Sequence, residues 1–325
     1  MNKMVKSLSV VMPTYNCGDH IYYAINSILK QSFKDFEFII IDDGSTDNTE
    51  EIVNSFNDPR IKYFKLEHKG FIESANFGVS VASSEWIARM DADDIAVPER
   101  FEKQVEYLNK NPEYKFVSCW YSIFSGTKNS YYVKTPVNHF DILKQLSLHS
   151  VICHPGVIFN KQDFNLANGY IQNTREDYDL WLRIKDNVTF YNYPEVLMFL
   201  GKRKNSLSRN SFISNSILVK NSQDKYHDLK NDFGIEDHLK AKIILGWREW
   251  FYGDPIIARN IWKEAGISHL SLGEMAAYMI SFLPQSLFIK FKESNFKLRL
   301  TYLFRESFKY KKKLNKQLKE LLILN

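Results

Sequence analysis

Over its first hundred residues the chain alternates apolar runs with amphipathic segments. LSVVMPTYN, residues 8–16, is an almost unbroken apolar run that ends in a turn, the pattern of a parallel strand buried on both faces. Residues 20–31 then place Ile21, Ala24, Ile25 and Ile28 at helical spacing. FEFIIIDDGS (36–45) predicts a second buried strand closing on two aspartates, a glycine and a serine. Ser45-Thr46-Asp47-Asn48 ahead of TEEIVNSF predicts a capped helix. IKYFKLE (61–67) predicts a third strand, residues 72–82 a helix, and EWIARM (85–90) a fourth strand.

This β-α-β-α-β-α-β alternation implies an α/β fold: a mostly parallel sheet flanked by helices on both faces. Ligands on such sheets bind beyond the carboxyl ends of the strands. Those ends carry PTYN, DDGS and DADD, so three polar clusters are expected along one sheet edge. After Pro98 the pattern predicts a helix in ERFEKQVEYLNKN and a strand in YKFVSCWYSIF (114–124). Residues 125–150 are too mixed to assign. HPGVIFNK (154–161) reads as a strand, REDYDLWLRIKD (175–186) as the start of a helix, and YNYPEVLMFLG leads into a basic loop, KRKNSLSRN. From about Phe212 onward the segments are amphipathic helices. A boundary near residue 210 therefore divides residues 1–210 from a helical region, 211–325. No repeat of 20–50 residues is visible.

Composition changes this picture in three places. At 325 residues with 44% hydrophobic and 25% charged content, the chain has ample material for a globular core. The net charge of +5 is unevenly spread: residues 281–325 carry 11 Lys/Arg against 3 Asp/Glu. Cys17, Cys119 and Cys153 form no CxxC pair, which argues against a disulfide framework or a zinc site and for reduced cytoplasmic thiols. MNKMVKSLSVVMPTY has no long apolar core of a signal peptide, and no run of about 18 apolar residues occurs. The expected location is cytoplasmic. The tail LTYLFRESFKYKKKLNKQLKELL is amphipathic and basic, and two readings stand open for it. It lies on the inner face of the membrane with lysines on anionic headgroups, or it packs on the body or a second subunit as an ordinary helix.

The strand ends carry the candidate chemistry. MDADD (90–94) holds Asp91, Asp93 and Asp94. A D-x-D pair offers oxygen ligands to a hard divalent cation, with one side chain assigned to a metal and the other to a sugar hydroxyl. The plainer alternative is a solvated acidic turn or a cap for the next helix. Asp43 can accept from a base N–H or a ribose hydroxyl, or Asp42 and Asp43 form an Asx-turn. Tyr15 can stack on a base or simply pack, with Pro13 and Thr14 offering backbone groups beside it. In REDYDLW, Asp177 can deprotonate an acceptor hydroxyl, or the acids Glu176, Asp177 and Asp179 complement a helix N-terminus. His154 is a substrate contact or a satisfied structural histidine. The basic run at 202–204 is a solvated loop or a diphosphate clamp.

Taken together and in order, SVVMPTYN, FEFIIIDDGSTDNT, IARMDADDIAVPERF and REDYDLWLR followed by PEVLMF resemble the family 2 glycosyltransferases, which have the Rossmann-like GT-A fold. The resemblance spans residues 7 to about 208. It implies inverting transfer of a hexosyl-type sugar from a nucleotide diphosphate sugar, usually UDP-linked, with Mn2+ or Mg2+. Pro13, Thr14, Tyr15 and Asp43 then correspond to nucleoside-binding positions, Asp91 to the aspartate on ribose and donor sugar, Asp93 to the metal-linked aspartate and Asp177 to the catalytic base. Asn76 and Gly70 fall in the donor-side segment, while His154, Glu176 and Trp181 are placed on the acceptor side. The chain departs from the family pattern at Ala75, where an Arg is frequent, and at Leu200, Gly201 and Arg203, where Tyr, Arg and His are frequent. Arg203, or Lys202 or Lys204, is the remaining diphosphate contact.

The implied partners are a UDP-sugar and a glycan or lipid-linked acceptor of bacterial surface polysaccharide, with no nucleic acid. An oligomer is compatible with the helical region. The rival from another class is a non-catalytic nucleotide- or glycan-binding module of the same fold. A Rossmann dinucleotide enzyme is disfavoured, because PTYNCGDH follows the first strand where G-x-G-x-x-G is needed.

Overall fold

The structure is a computed structural model that describes residues 4–126, 128–172, 175–202, 219, 238–252, 254–283 and 308–323. Its first half is the expected parallel unit. β1 (Leu8–Thr14) is flanked by β2 (Phe36–Asp42) and β4 (Trp86–Arg89), and β3 (Ile61–Lys65) adds to β2, all in parallel register. Helices α1 (Ile21–Leu29), α2 (Thr49–Asn54) and α3 (Phe71–Val81) make the crossovers.

Side-chain alternation along each strand explains the unbroken apolar runs. Val10, Met12, Phe38 and Ile40 enter one core with Ile21, Ala24, Ile25 and Ile28 of α1. Val11, Ile39 and Ile41 enter the opposite core with Ala75 and Val79 of α3. Each such side chain, fully buried, contributes roughly 1.5–3 kcal/mol, so a one-residue slip of β1 or β2 would exchange the two cores and is strongly disfavoured.

The second half continues the same sheet. β5 (Ile95–Ala96), α4 (Arg100–Lys110), β6 (Phe116–Ser125), β7 (Lys128–Val133), α5 (His139–Leu146), β8 (Ile158–Asn160), α6 (Lys161–Leu166), α7 (Glu176–Ile184) and β9 (Phe190–Gly201) follow in chain order. The sheet order is β3-β2-β1-β4-β8-β6-β9-β5, with β7 on β6. β8 runs antiparallel to β4 and β6, β5 runs antiparallel to β9, and β6 and β9 are parallel. Residues 125–150, unassignable from pattern, contain β7 and α5. The strand expected at 154–161 opens instead with a 3-10 turn, His154–Gly156, and only Ile158–Asn160 pairs. Pro155 restricts the residue before it and lacks the N–H a ladder needs.

Beyond the sheet, helices His238–Tyr252, Pro255–Ala265 and Leu272–Ile280 build a small core of Trp250, Ala258, Trp262 and Ala277. Arg248 Nε ties the first of them to the body by donating to the Ser147 carbonyl at 2.7 Å. The tail helix Phe308–Ile323 lies on the body: Leu314 and Leu318 are 2% and 0% exposed, against Ile95, Tyr132, Val196 and Phe199. For these residues the packing alternative holds, and their leucines are not free to enter a lipid surface. No helix among the described residues is long and apolar enough to cross a membrane. The boundary placed at residue 210 falls outside the described residues.

Candidate functional site

The loops after β1 and β2 are stitched together. Asn16, at φ 48°, donates its amide to Ser45 Oγ at 2.9 Å, and its side-chain oxygen accepts the Thr46 amide at 2.9 Å. Asp42 Oδ1 accepts the amide of Ser45, three residues on, at 2.7 Å, and Oδ2 accepts the Tyr63 hydroxyl at 2.6 Å. Pro13 pairs in register with Ile41 inside the sheet. The Thr14 carbonyl accepts the Asp43 amide at 2.9 Å, while the Thr14 hydroxyl is buried with no hydrogen-bond partner in the structure. Tyr15 is 43% exposed and stacks on His68, ring centroids 4.2 Å apart, leaving an open aromatic face at the sheet edge.

Asp43 is 3% exposed and fully engaged. Oδ1 accepts the Lys69 amide at 2.9 Å and the Ser74 hydroxyl at 3.1 Å; Oδ2 accepts the Gly70 amide at 2.9 Å and lies 2.7 Å from His68 Nδ1. Four partners use the capacity of a carboxylate. This side chain therefore builds the start of α3, where Gly70 sits at φ 96°, a conformation favouring glycine. The base N–H contact expected of Asp43 would require one of these bonds to open.

The acidic stretch after β4 is not extended. It turns at Ala92–Asp93, with the Asp94 amide donating to the Asp91 carbonyl at 3.3 Å, so the three acids take different surroundings. Asp91 Oδ1 pairs with the guanidinium of Arg89 at 2.7 Å, and its side chain is one-third exposed. Asp93 is partly exposed at the turn. Asp94 is buried and accepts the Gly201 amide at 2.9 Å; burial, then Asp93 and Asp91, push its carboxyl well above the ordinary range. Arg89 is 2% exposed, an unusual place for a guanidinium. Burial works against its charge, but Asp91 and Tyr170 more than offset this and raise its proton affinity. Its cationic carbon lies 5.0 Å above the Phe71 ring.

The start of α7 faces this turn. Burial, Asp177 and, more weakly, Asp91 raise the proton affinity of Glu176, so groups from distant parts of the chain meet in one field. Asp177 Oδ1 is buried, has no hydrogen-bond partner in the structure, and lies 3.5 Å from Arg175 Nε. His154 joins from the turn before β8: its Nε2 is 2.7 Å from the Tyr170 hydroxyl. Burial, Arg89 and Arg175 hold that imidazole well below its usual titration range, hence neutral.

Two residues expected at the site are engaged within the protein. Both polar groups of the Asn76 side chain are held by Tyr170: its amide nitrogen donates to the Tyr170 carbonyl and its oxygen accepts the Tyr170 amide, both at 2.9 Å. Trp181 is 0% exposed, set edge-on to Phe116 and His154 in the core, so it backs the site and does not line it. Arg203 and Lys204, the clamp residues proposed from the basic run, lie outside the described residues. Asp91, His154, Glu176 and Asp177 do gather, and Phe71 links them to the Tyr15–Asp43 end through ring contacts with His154 and Tyr170.

Sequence reasoning missed Arg89, Tyr170, Arg175, His68 and Tyr252. A cation inside the apolar run EWIARM was the one legible signal. Tyr252, from the helical region, packs on the core beside α7; burial and then Asp177 raise its phenol, with Arg175 opposing.

An α/β sheet with helices on both faces and acids converging at its carboxyl edge defines a GT-A enzyme architecture. The comparisons agree. The sequence model described as Glycosyl transferase family 2 matches residues 9–166. The O-antigen biosynthesis glycosyltransferase WbnJ of Escherichia coli is 31% identical over 207 residues, covering 60% of this chain and 80% of WbnJ. S. aureus TarS 1–349 in complex with UDP-GlcNAc superposes with a TM-score of 0.56 at 17% identity, over 90% of this chain and 92% of that one. The mannosyltransferase PcManGT from Pyrobaculum calidifontis, in complex with GDP-Man and Mn2+, gives 0.54 at 16% identity, over 97% and 84%. The chain belongs to glycosyl transferase family 2 and is a glycosyltransferase.

Proposed function

We propose that the chain is an inverting enzyme that moves a sugar from a nucleotide diphosphate donor, a UDP-sugar, to a hydroxyl of a glycan or lipid-linked acceptor in bacterial surface polysaccharide assembly. Residues 1–210 form the catalytic domain in this reading and 211–325 a helical region that contributes Tyr252 and the tail. The carrying observation is the meeting of Asp91 and Glu176–Asp177 at one sheet edge. A donor laid across the Tyr15–His68 face would have its sugar near Asp91 and an acceptor hydroxyl near Asp177.

Asp177 takes the proton of the acceptor hydroxyl. The freed oxygen lone pair forms the new bond to the anomeric carbon, and the bond to the diphosphate oxygen breaks with its electrons leaving on UDP. A buried carboxylate oxygen with no donor of its own suits this role, since substrate would supply the missing hydrogen bond. Arg175 beside it holds the carboxylate in place. Asp91 Oδ2, the oxygen not paired with Arg89, is left for the donor.

A divalent cation suits the acidic turn. The described residues contain no group of three His, Cys, Asp or Glu able to hold a metal alone. Asp93 would therefore supply one ligand and the diphosphate and water the rest, the arrangement Mg2+ favours. Burial first, and then the neighbouring charges of Asp93 and Asp91, raise the proton affinity of Asp94, and a cation at the turn would offset the charge part of that effect. When bound, such an ion supplies charge neutralisation on the departing diphosphate.

TarS bound to UDP-GlcNAc, PcManGT bound to GDP-Man and Mn2+, and the O-antigen role of WbnJ support this reading. The site would work at the inner membrane face, where the outward Lys313, Lys316 and Lys319 of the tail helix can meet anionic headgroups. The test is UDP release from a panel of UDP-sugars. Asp177→Asn is expected to lower turnover by roughly 10²–10⁴ with UDP affinity, measured by calorimetry, nearly unchanged. Full turnover in that variant moves the base elsewhere. Donor binding without turnover by the native chain favours the non-catalytic module.

A further inference from the structure

His68 makes, at the sheet edge, the two contacts a nucleobase would make there. Its ring stacks on Tyr15 with centroids 4.2 Å apart and planes inclined by 19°. Its Nδ1 lies 2.7 Å from Asp43 Oδ2 and 3.0 Å from the Asp43 carbonyl oxygen. Both oxygens are acceptors, so Nδ1 carries the proton. A uracil ring presents the same pair of features, a flat face and a ring N–H.

The edge cannot take both rings as it stands. A third ring between Tyr15 and His68 would need roughly 7 Å, two carbon–carbon contact distances, against the 4.2 Å between the centroids. A base stacked outside the pair would find Asp43 Oδ2 already facing the imidazole and the Gly70 amide.

Of the four groups on that carboxylate, three are fixed. Lys69 and Gly70 donate backbone amides at 2.9 Å, and Ser74 donates from α3 at 0% exposure. The backbone around His68 is fixed as well. The Leu66 amide donates to the Asp42 carbonyl at 2.8 Å, and the loop passes so close to Gly44, at φ 76°, that a Cβ there would meet the His68 nitrogen at 3.0 Å. The His68 side chain is 56% exposed and reaches solvent by rotation about its own bonds.

We infer that His68 is an internal competitor of the donor base. It fills the base subsite of the free chain, and a nucleotide enters by turning the imidazole out, stacking on Tyr15 and giving its own ring N–H to Asp43. One stack and one N–H contact replace another, so the buried carboxylate keeps a full set of partners with and without donor. The apparent donor affinity is then reduced in proportion to the fraction of molecules whose subsite stands open. The inference rests on the reading that a nucleotide sugar binds at this edge, and adds which group yields to it.

Calorimetry with UDP and the full chain, in buffer containing Mg2+, is the test. His68→Ala removes the competitor and leaves Asp43 its three other partners. Its Kd for UDP is expected to fall roughly three- to tenfold, the effect of one competing hydrogen bond. If His68 instead helps to hold the base, the variant binds UDP more weakly; that result, or an unchanged Kd, overturns the inference.

A second measurement leaves the side chain in place. The native chain is labelled with 15N-histidine, and the His68 signals are identified among the eight histidines by their loss in His68→Gln. A hydrogen-bonded Nδ1–H resonance is expected for the free chain and is expected to vanish at saturating UDP as the ring enters solvent. Its persistence at saturation excludes the exchange. If UDP binds neither the native chain nor His68→Ala, the donor reading fails and the inference with it. Binding that is indifferent to His68 sinks the inference alone.

Discussion

Asp43, the last acid after β2, holds the amide of Gly70 at the head of α3 at 2.9 Å. One carboxylate thereby shapes the loop that carries His68 and, one residue beyond Gly70, Phe71. Asp43→Ala is expected to destabilise the fold by about 2–4 kcal/mol, since two backbone amides and a hydroxyl lose a charged acceptor. Asp43→Asn should cost less. Urea denaturation measures both, and a neutral Asp43→Ala would mean the α3 head is held by other contacts.

Metal removal is the second check. Turnover is expected to disappear in EDTA and return with excess Mn2+ or Mg2+. Asp93→Asn should raise the metal concentration for half-maximal rate on the order of tenfold or more, as loss of a charged oxygen ligand implies. Full activity in EDTA removes the ion from the reading.

Glu176 gives a pH prediction. Its folded proton affinity is raised by burial and Asp177, so the folded chain binds this proton more tightly than the unfolded chain. Stability contributed by the protonated form is therefore lost as pH rises from the ordinary glutamate range of about 4.3 through the raised folded value. Glu176→Gln should raise the melting temperature above that window and leave it nearly unchanged below it. Equal shifts at both pH extremes would show that the carboxylate's charge is not the cause.

Gly169→Ala is the fourth. It places a Cβ against Asn76 Oδ1 at 2.6 Å and Phe164 Cε1 at 3.0 Å in a left-handed backbone. A loss of roughly 1–3 kcal/mol is expected, with reduced turnover because Tyr170 shifts. Circular dichroism melts and initial rates read the two effects separately.

Much of the fold was legible because β1, β2 and β4 are buried on both faces and show it as apolar runs. The helices between them show it as 3.6-residue spacing. The second half was less readable. β7 and α5 lie in a stretch whose pattern is mixed, and β7 gains its order by pairing with β6. Pro155 cut the expected strand at 154–161 to three paired residues. At the site, acids at strand ends announced themselves by type and position. Asn76 and Trp181 did not reveal that one clamps Tyr170 and the other sits in the core, because neither fact is encoded within a few residues of either.

The amino-acid order alone determined which groups reach the carboxyl edge: strand direction and the period-two alternation are local properties, so Tyr15, Asp43, Asp91 and Asp93 had to emerge there. Which oxygen of Asp91 is taken, why Asp94 favours its proton, and that α7 and the turn at His154 close over the same point were decided by tertiary packing. Those outcomes depend on burial and on charges brought near from distant chain positions, and neither quantity exists until the chain has folded.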